Sequence, residues 1–185
     1  MFIQTEQTPN PATLKFLPGT TVMARGTLDF TDAENARRSP MAEGLFAVDG
    51  VAGVFLGPDF ISVTKHEGRD WATLKPIILG AIMEHYTSGA AMVRAAEGSG
   101  DEVEADGEDD EIVVQIKELL DTRVRPAVAQ DGGDIVFQSF EEGVVYLRMQ
   151  GACSGCPSST ATLKMGIENL LKHFIPEVKE VRPAD

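Results

Sequence analysis

Between Glu97 and Asp110 the chain carries eight acidic side chains, no basic one, and Val103 as its one sizeable apolar residue. Such a segment cannot bury enough surface to offset the entropy of ordering it. Its self-repelling charge, mixed with Gly and Ser, predicts an extended, mobile connector. The 185 residues are therefore expected to fold as two small units: a first domain over 1–88, an acidic linker over 89–110 and a second domain over 111–185. A calcium-loop reading of the acidic run fails on spacing. With Gly107 at the sixth position of the loop, Val113 stands where a bidentate Glu is required.

The same run accounts for most of the net charge of −13. Residues 1–96 hold 10 acids and 8 bases (−2), residues 97–110 contribute −8, and residues 111–185 hold 11 acids and 8 bases (−3). Neither flank is a strongly acidic surface, and there is no basic stripe of the kind nucleic-acid binding uses. No apolar run approaches the roughly 18 residues a membrane span needs. The first residues have neither the basic, then apolar, character of a secretory signal nor the Arg-rich character of a transit peptide. The expectation is a cytoplasmic, bacterial protein, a mitochondrial matrix form requiring a presequence that these residues do not resemble.

In the first unit, Ala12–Leu17 lies between a Pro-Asn-Pro turn and Pro18-Gly19 and reads as a strand. Ser39 before Pro40 predicts the N-cap and first position of a short helix running through Leu45 and Phe46. Val51–Leu56 and Phe60–Lys65 flank Gly57-Pro58-Asp59 as a hairpin. Leu74, Ile77, Ile78, Ala81, Ile82 and His85 follow helical spacing, with Pro76 tolerable near the first turn. Trp71 and Phe55 read as core. In the second unit, Ile112, Ile116, Leu119, Leu120 and Val124 mark a helix that Gln130-Asp-Gly-Gly-Asp134 ends. Ile135–Phe140 and Val144–Met149 read as strands, Leu163, Ile167, Leu170, Leu171 and Phe174 as a helix stopped by Pro176, and Val178–Val181 as a last strand. The fold class is α+β: two small mixed domains, the second in α-β-β-α-β order with a three-stranded sheet backed by two helices.

All of the chain's thiols lie in one CxxC, Cys153 and Cys156, within Gly-Ala-Cys-Ser-Gly-Cys-Pro-Ser-Ser-Thr (151–160). Zinc and iron–sulfur centres usually take four protein ligands, often all thiolate, so one chain supplies half a site. The motif falls between a strand and a helix. Gly151 and Gly155 let the backbone close around the sulfurs, and the helix N-terminus is expected to favour thiolate. Three readings stay open on spacing: a shared metal or cluster, a redox dithiol, or an inert pair. A thioredoxin-like motif should follow the first strand of a βαβ unit, whereas this one follows a hairpin.

Asp131-Gly-Gly-Asp134, the 151–160 segment, Gly166–Leu170 and Ile175-Pro-Glu-Val178 together resemble the NifU C-terminal-like (Nfu) domain. Thr8–Phe16, Ser39-Pro-Met-Ala42 and Phe46 to Phe60 resemble the amino-terminal domain that accompanies it. The resemblance implies a non-enzymatic iron–sulfur scaffold or carrier. Cys153 and Cys156 then ligate a labile [4Fe-4S] cluster shared between two subunits of a homodimer, received from an upstream donor and passed to apo-proteins. A [2Fe-2S] form takes four thiolates equally well. A thiol–disulfide oxidoreductase and a zinc-bridged dimer are the alternatives. Among the remaining candidates, Asp131 and Asp134 read as turn residues, His173 as a helix-end residue, and Arg123 and Arg125 as a solvated helix end. His66 and His85 lack a nucleophile or carboxylate at a telling spacing.

Overall fold

The computed structural model describes residues 1–94, 111–154 and 157–184. It divides into two compact units, Met1–Gly98 and Ser99–Asp185. Most of the expected linker, residues 95–110, lies outside the described residues, as does Cys156.

The first unit contains β1 (Gln4–Gln7), β2 (Thr13–Leu17), β3 (Leu28–Phe30), α1 (Ala33–Ala36), α2 (Pro40–Phe46), β4 (Val51–Leu56), β5 (Ile61–Lys65) and α3 (Trp71–Ser88). The strands form an antiparallel sheet in the order β1-β2-β5-β4-β3. Its core joins Phe16, Phe30, Leu56 and Ile61 of the sheet to Met41 and Leu45 of α2 and Leu74, Ile78 and Ile82 of α3. The Ser39 cap forms as its sequence predicts: its hydroxyl accepts from the Ala42 amide at 3.1 Å. It also donates to the Met92 carbonyl. With the Arg94 amide on the Arg38 carbonyl at 2.8 Å and the Arg94 guanidinium on Glu43 at 2.6 Å, this ties the chain beyond residue 88 back onto α1 and α2.

Strands β1 and β3 and helix α1 have no counterpart among the predicted elements; each is short, and β1 is largely exposed and polar. Pro76 stands one turn deeper in α3 than the first-turn rule allows, because Asp70 is the N-cap and accepts from the Ala72 amide. The carbonyl that the missing Pro76 N–H leaves unpaired belongs to exposed Ala72, where water can reach it. Ile77, expected on the buried stripe, is 50% exposed, since Leu74, Ile78, Ile82 and His85 fill the face toward the sheet. Phe55 is buried as expected, while Trp71 is only partly covered and donates its indole N–H to the Pro11 carbonyl at 3.1 Å.

The second unit begins with α4 (Glu111–Leu119), which widens into one π turn (Leu120–Val124) before α5 (Arg125–Gln130). The π turn ends two residues before Pro126, which cannot donate to the helix ladder and whose ring crowds the preceding turn. Strands β6 (Gly133–Glu141) and β7 (Val144–Gly151) form a hairpin, followed by α6 (Pro157–Phe174) and β8 (Glu180–Pro183). Glu142 and Gly143 both take positive φ, 51° and 85°, as a tight two-residue turn requires. The sheet order is β6-β7-β8, with β8 parallel to β7.

The core of this unit is aliphatic. Ile116, Leu120, Val124 and Val128 come from the N-terminal helices, Ile135, Val145, Leu147 and Val181 from the sheet, and Ile167 and Leu171 from α6. Phe174 is 45% exposed rather than core, with the His173 ring edge-on to it. At the outer side of β8, the Val181 amide donates to the Glu168 carboxylate at 3.2 Å.

Candidate metal centre

The loop that carries Cys153 is closed by short-range backbone bonding. Gly151 ends β7 with φ 64°, the Ser154 amide donates to the Gly151 carbonyl at 3.1 Å, and the Ala152 amide reaches the Gly132 carbonyl at 3.1 Å. From the other end, the Thr160 hydroxyl on α6 donates to the Cys153 carbonyl at 3.2 Å. The cysteine is thus held between the last residue of β7, the Gly132-Gly133 turn and the first turns of α6.

Gly133 is required by this packing. A Cβ there would stand 2.5 Å from Cys153 Sγ, 2.7 Å from the Gln150 carbonyl oxygen and 3.0 Å from the Cys153 amide nitrogen. Two of those neighbours are backbone and cannot swing away. The next residue, Asp134, is buried and receives a two-pronged bond from Arg125, Nε at 2.9 Å and Nη2 at 2.8 Å, plus the Ile135 amide at 2.8 Å. Arg125 Nη1 also reaches Asp121 at 3.1 Å. This bidentate geometry with a largely buried carboxylate drives the guanidinium pKa further up, against the opposing effect of its own burial. Arg125 is therefore no solvated helix end, and Asp134, read from the sequence as a turn residue, is instead the second residue of β6, its buried carboxylate held by Arg125 and the Ile135 amide. Neither Gly133 nor the Arg125–Asp134 pair is conspicuous as a contact in the linear chain. The one available signal was the double glycine between two aspartates in a segment without other reason for backbone freedom.

Cys153 itself is 6% exposed and packs with the second unit's core. Burial pushes its thiol up to about 12, reinforced by the negative fields of Asp131 and Asp134. The expectation of a thiolate favoured by the helix N-terminus does not hold for this sulfur, because it lies inward beneath the loop. Among the described residues, no three His, Cys, Asp or Glu side chains come together as a metal cage. Cys156, the second predicted ligand, lies outside the described residues. The topology corrects a further expectation. Parallel β7 and β8 joined through α6 form a βαβ unit, so the CxxC does follow the first strand of one. Connectivity therefore no longer counts against a redox dithiol, although burial disfavours Cys153 as its attacking sulfur.

A small α+β domain that offers its cysteine loop at a strand–helix junction belongs to the NifU-like class: the "NifU-like domain" family model matches residues 116–182. The model for "Scaffold protein Nfu/NifU N terminal" matches residues 3–89. Over 182 residues, 98% of this chain, the sequence is 52% identical to "NFU1 iron-sulfur cluster scaffold homolog, mitochondrial" of Homo sapiens, covering 71% of that protein. It is 53% identical to the protein of the same name from Drosophila sechellia, of which it spans 64%. Among solved structures, the NifU-like protein from Saccharomyces cerevisiae aligns with TM-score 0.47 and 24% identity, over 52% of this chain and 87% of that one. The chain belongs to the Nfu family of NifU-like proteins. The mitochondrial relatives overturn the cytoplasmic, bacterial expectation. That expectation rested on the character of the first residues, and the relatives extend beyond the matched region, so those residues do not bear on a leader.

Proposed function

We propose that this protein is an iron–sulfur cluster scaffold and carrier in which Cys153 and Cys156 are the cluster ligands. In this reading the first domain spans about 1–88 with Met92 and Arg94 tied back onto it, an acidic connector follows up to residue 110, and the ligand-bearing domain covers 111–185. The single observation that carries the reading is the Cys153 loop, seated at the junction of β7 and α6 against a glycine that the sulfur itself requires. Two thiols per chain are half of a four-thiolate set. A [4Fe-4S] cluster bridging two copies of the chain completes it, and a bridging [2Fe-2S] form uses the same four sulfurs. A shared cluster loses half its ligands when the copies part, so holding it depends on protein concentration. That lability suits cargo received from a donor and handed to apo iron–sulfur proteins. The scaffold names of the relatives support the same role.

The residues around Cys153 divide the work. Gly133 leaves room for the sulfur, and Arg125 with Asp134 fixes the turn that carries Gly133. Ligation requires the Cys153 thiol to give up its proton, so metal binding and proton release are linked. In the thiol–disulfide alternative Cys156 would have to be the attacking thiolate, because Cys153 is buried.

Anaerobic reconstitution with iron and sulfide, followed by Mössbauer spectroscopy and metal analysis of the size-separated dimer, tests the proposal. The expected result is a stoichiometric cluster per dimer, lost in Cys153→Ser and in Cys156→Ser. A colourless monomer with a rapidly exchanging intrachain disulfide would overturn it in favour of redox chemistry, and tetrathiolate zinc at the dimer in favour of a structural metal.

A further inference from the structure

Two glycines in the first unit have no role in the fold that contains them. Gly44 in α2 and Gly80 in α3 sit inside helices, and a Cβ built on either meets nothing within 4 Å. Glycine weakens a helix relative to alanine, and here neither backbone conformation nor packing calls for it. Both line the same groove, about 880 Å³, between the C-terminal end of α2 and the length of α3. Half-exposed Ile77 also lies in it. Arg69 pairs with Asp49, while Asp70, the N-cap of α3, and Glu84 add two further carboxylates to the lining.

We propose that this groove docks a helical segment of a partner protein, apolar on one face and flanked by Lys or Arg. Missing side chains at Gly44 and Gly80 let a third helix come close to both backbones, Ile77 meets its apolar face, and Asp70 and Glu84 select its charge. The chain's own segment 97–110 has the wrong sign to be the occupant, with eight acids and no base. The groove lies within the first unit and needs no cluster, so its occupancy and the cysteine chemistry stand or fall separately.

The test uses the full-length, ¹⁵N-labelled apo-protein. The probe is a fluorescein-labelled helical peptide of about 14 residues, roughly four turns, with Leu at i, i+3, i+4 and i+7 and Lys elsewhere. A control peptide replaces every Lys with Glu. Saturable binding of the Lys peptide is expected, with amide shifts confined to α2, α3 and the residues joining them to β4 and β5. Gly80→Leu should weaken it by about tenfold or more while leaving the melting temperature unchanged or higher. Glu84→Lys should weaken the Lys peptide and improve the Glu peptide. If Gly80→Leu fails to fold, Gly44→Gln carries the same test from the opposite wall. Shifts centred on the acidic segment 97–110, or affinity that ignores these substitutions, overturn the proposal as plain charge adhesion.

Discussion

Glycine serves opposite purposes at the cysteine loop of the second unit and at the α2–α3 groove of the first. At Gly133 an added methyl would strike a sulfur and two backbone atoms; at Gly44 and Gly80 it would strike nothing. The second unit closes its backbone over a cysteine until no space remains. The first leaves space between two helices that no side chain fills. The cores differ in the same sense. The first sets Phe16 and Phe30 among its aliphatic side chains, whereas the buried residues of the second are Ile, Leu and Val with a thiol among them. An aliphatic core that encloses a reactive group leaves little slack around it. The difference between the units thus lies less in secondary structure than in where each tolerates change.

The largest effect should come from Gly133→Ala, which forces backbone atoms apart. A loss of about 3 kcal/mol is expected in the second unit, the upper end for overpacking, with the first unit unaffected. Calorimetry that resolves the two transitions checks this, and an unchanged second transition would break the comparison outright. Arg125→Met comes next, because it takes the two-pronged bond away from a buried Asp134 carboxylate. The guanidinium side chain is 38% exposed and the carboxylate 6%, so about 2 kcal/mol is expected, less than for a fully buried pair. Denaturant midpoints on the isolated transition would show it, and Arg125→Lys should restore only part, since Lys cannot make the two-pronged bond.

A smaller effect sharpens the contrast through pH. Burial holds the His85 imidazole below its usual value of 6.5, despite a backbone hydrogen bond at Ala90, and its Nε2 has no partner among the described residues. Above pH 6.5 the folded and unfolded forms are both neutral at this site. As pH falls below 6.5 the unfolded chain takes up the proton first, so the first unit loses stability toward the folded-state pKa. Melting curves between pH 7.5 and about 5 should show that slope, and His85→Leu should flatten it. Smallest is Gly80→Ala, expected to raise the first unit's stability by somewhat under about 1 kcal/mol. A decrease would mean that the groove glycine does have a structural role.

The legible parts of this fold were those in which local chemistry determines local geometry. Ser39-Pro40 specifies a helix start by itself, Glu142-Gly143 supplies a tight turn, and the 3.6-residue spacing at Ile167 and Leu171 identifies a buried face. The π turn at Leu120–Val124 went unpredicted, although Pro126 was visible, because the apolar spacing continues unbroken through the distortion. The environment of Cys153 was illegible for another reason. The CxxC identifies the chemistry, but burial comes from Gly133, 20 positions earlier in the chain, and from the Arg125–Asp134 pair that fixes its turn. Spacing describes neighbours along the chain, and these are neighbours across a hairpin. Arg125 read as a free surface charge for the same reason.

The bond from the Val181 amide to Glu168 also occupies a donor on a sheet edge. Strand β8, like β6, is an edge of its sheet, and an open edge invites another chain to add a strand. Here the Val181 donor is already taken, and two residues on Pro183 has none to give. That margin is poor at templating further strands, so the domain is guarded at this edge against uncontrolled sheet growth.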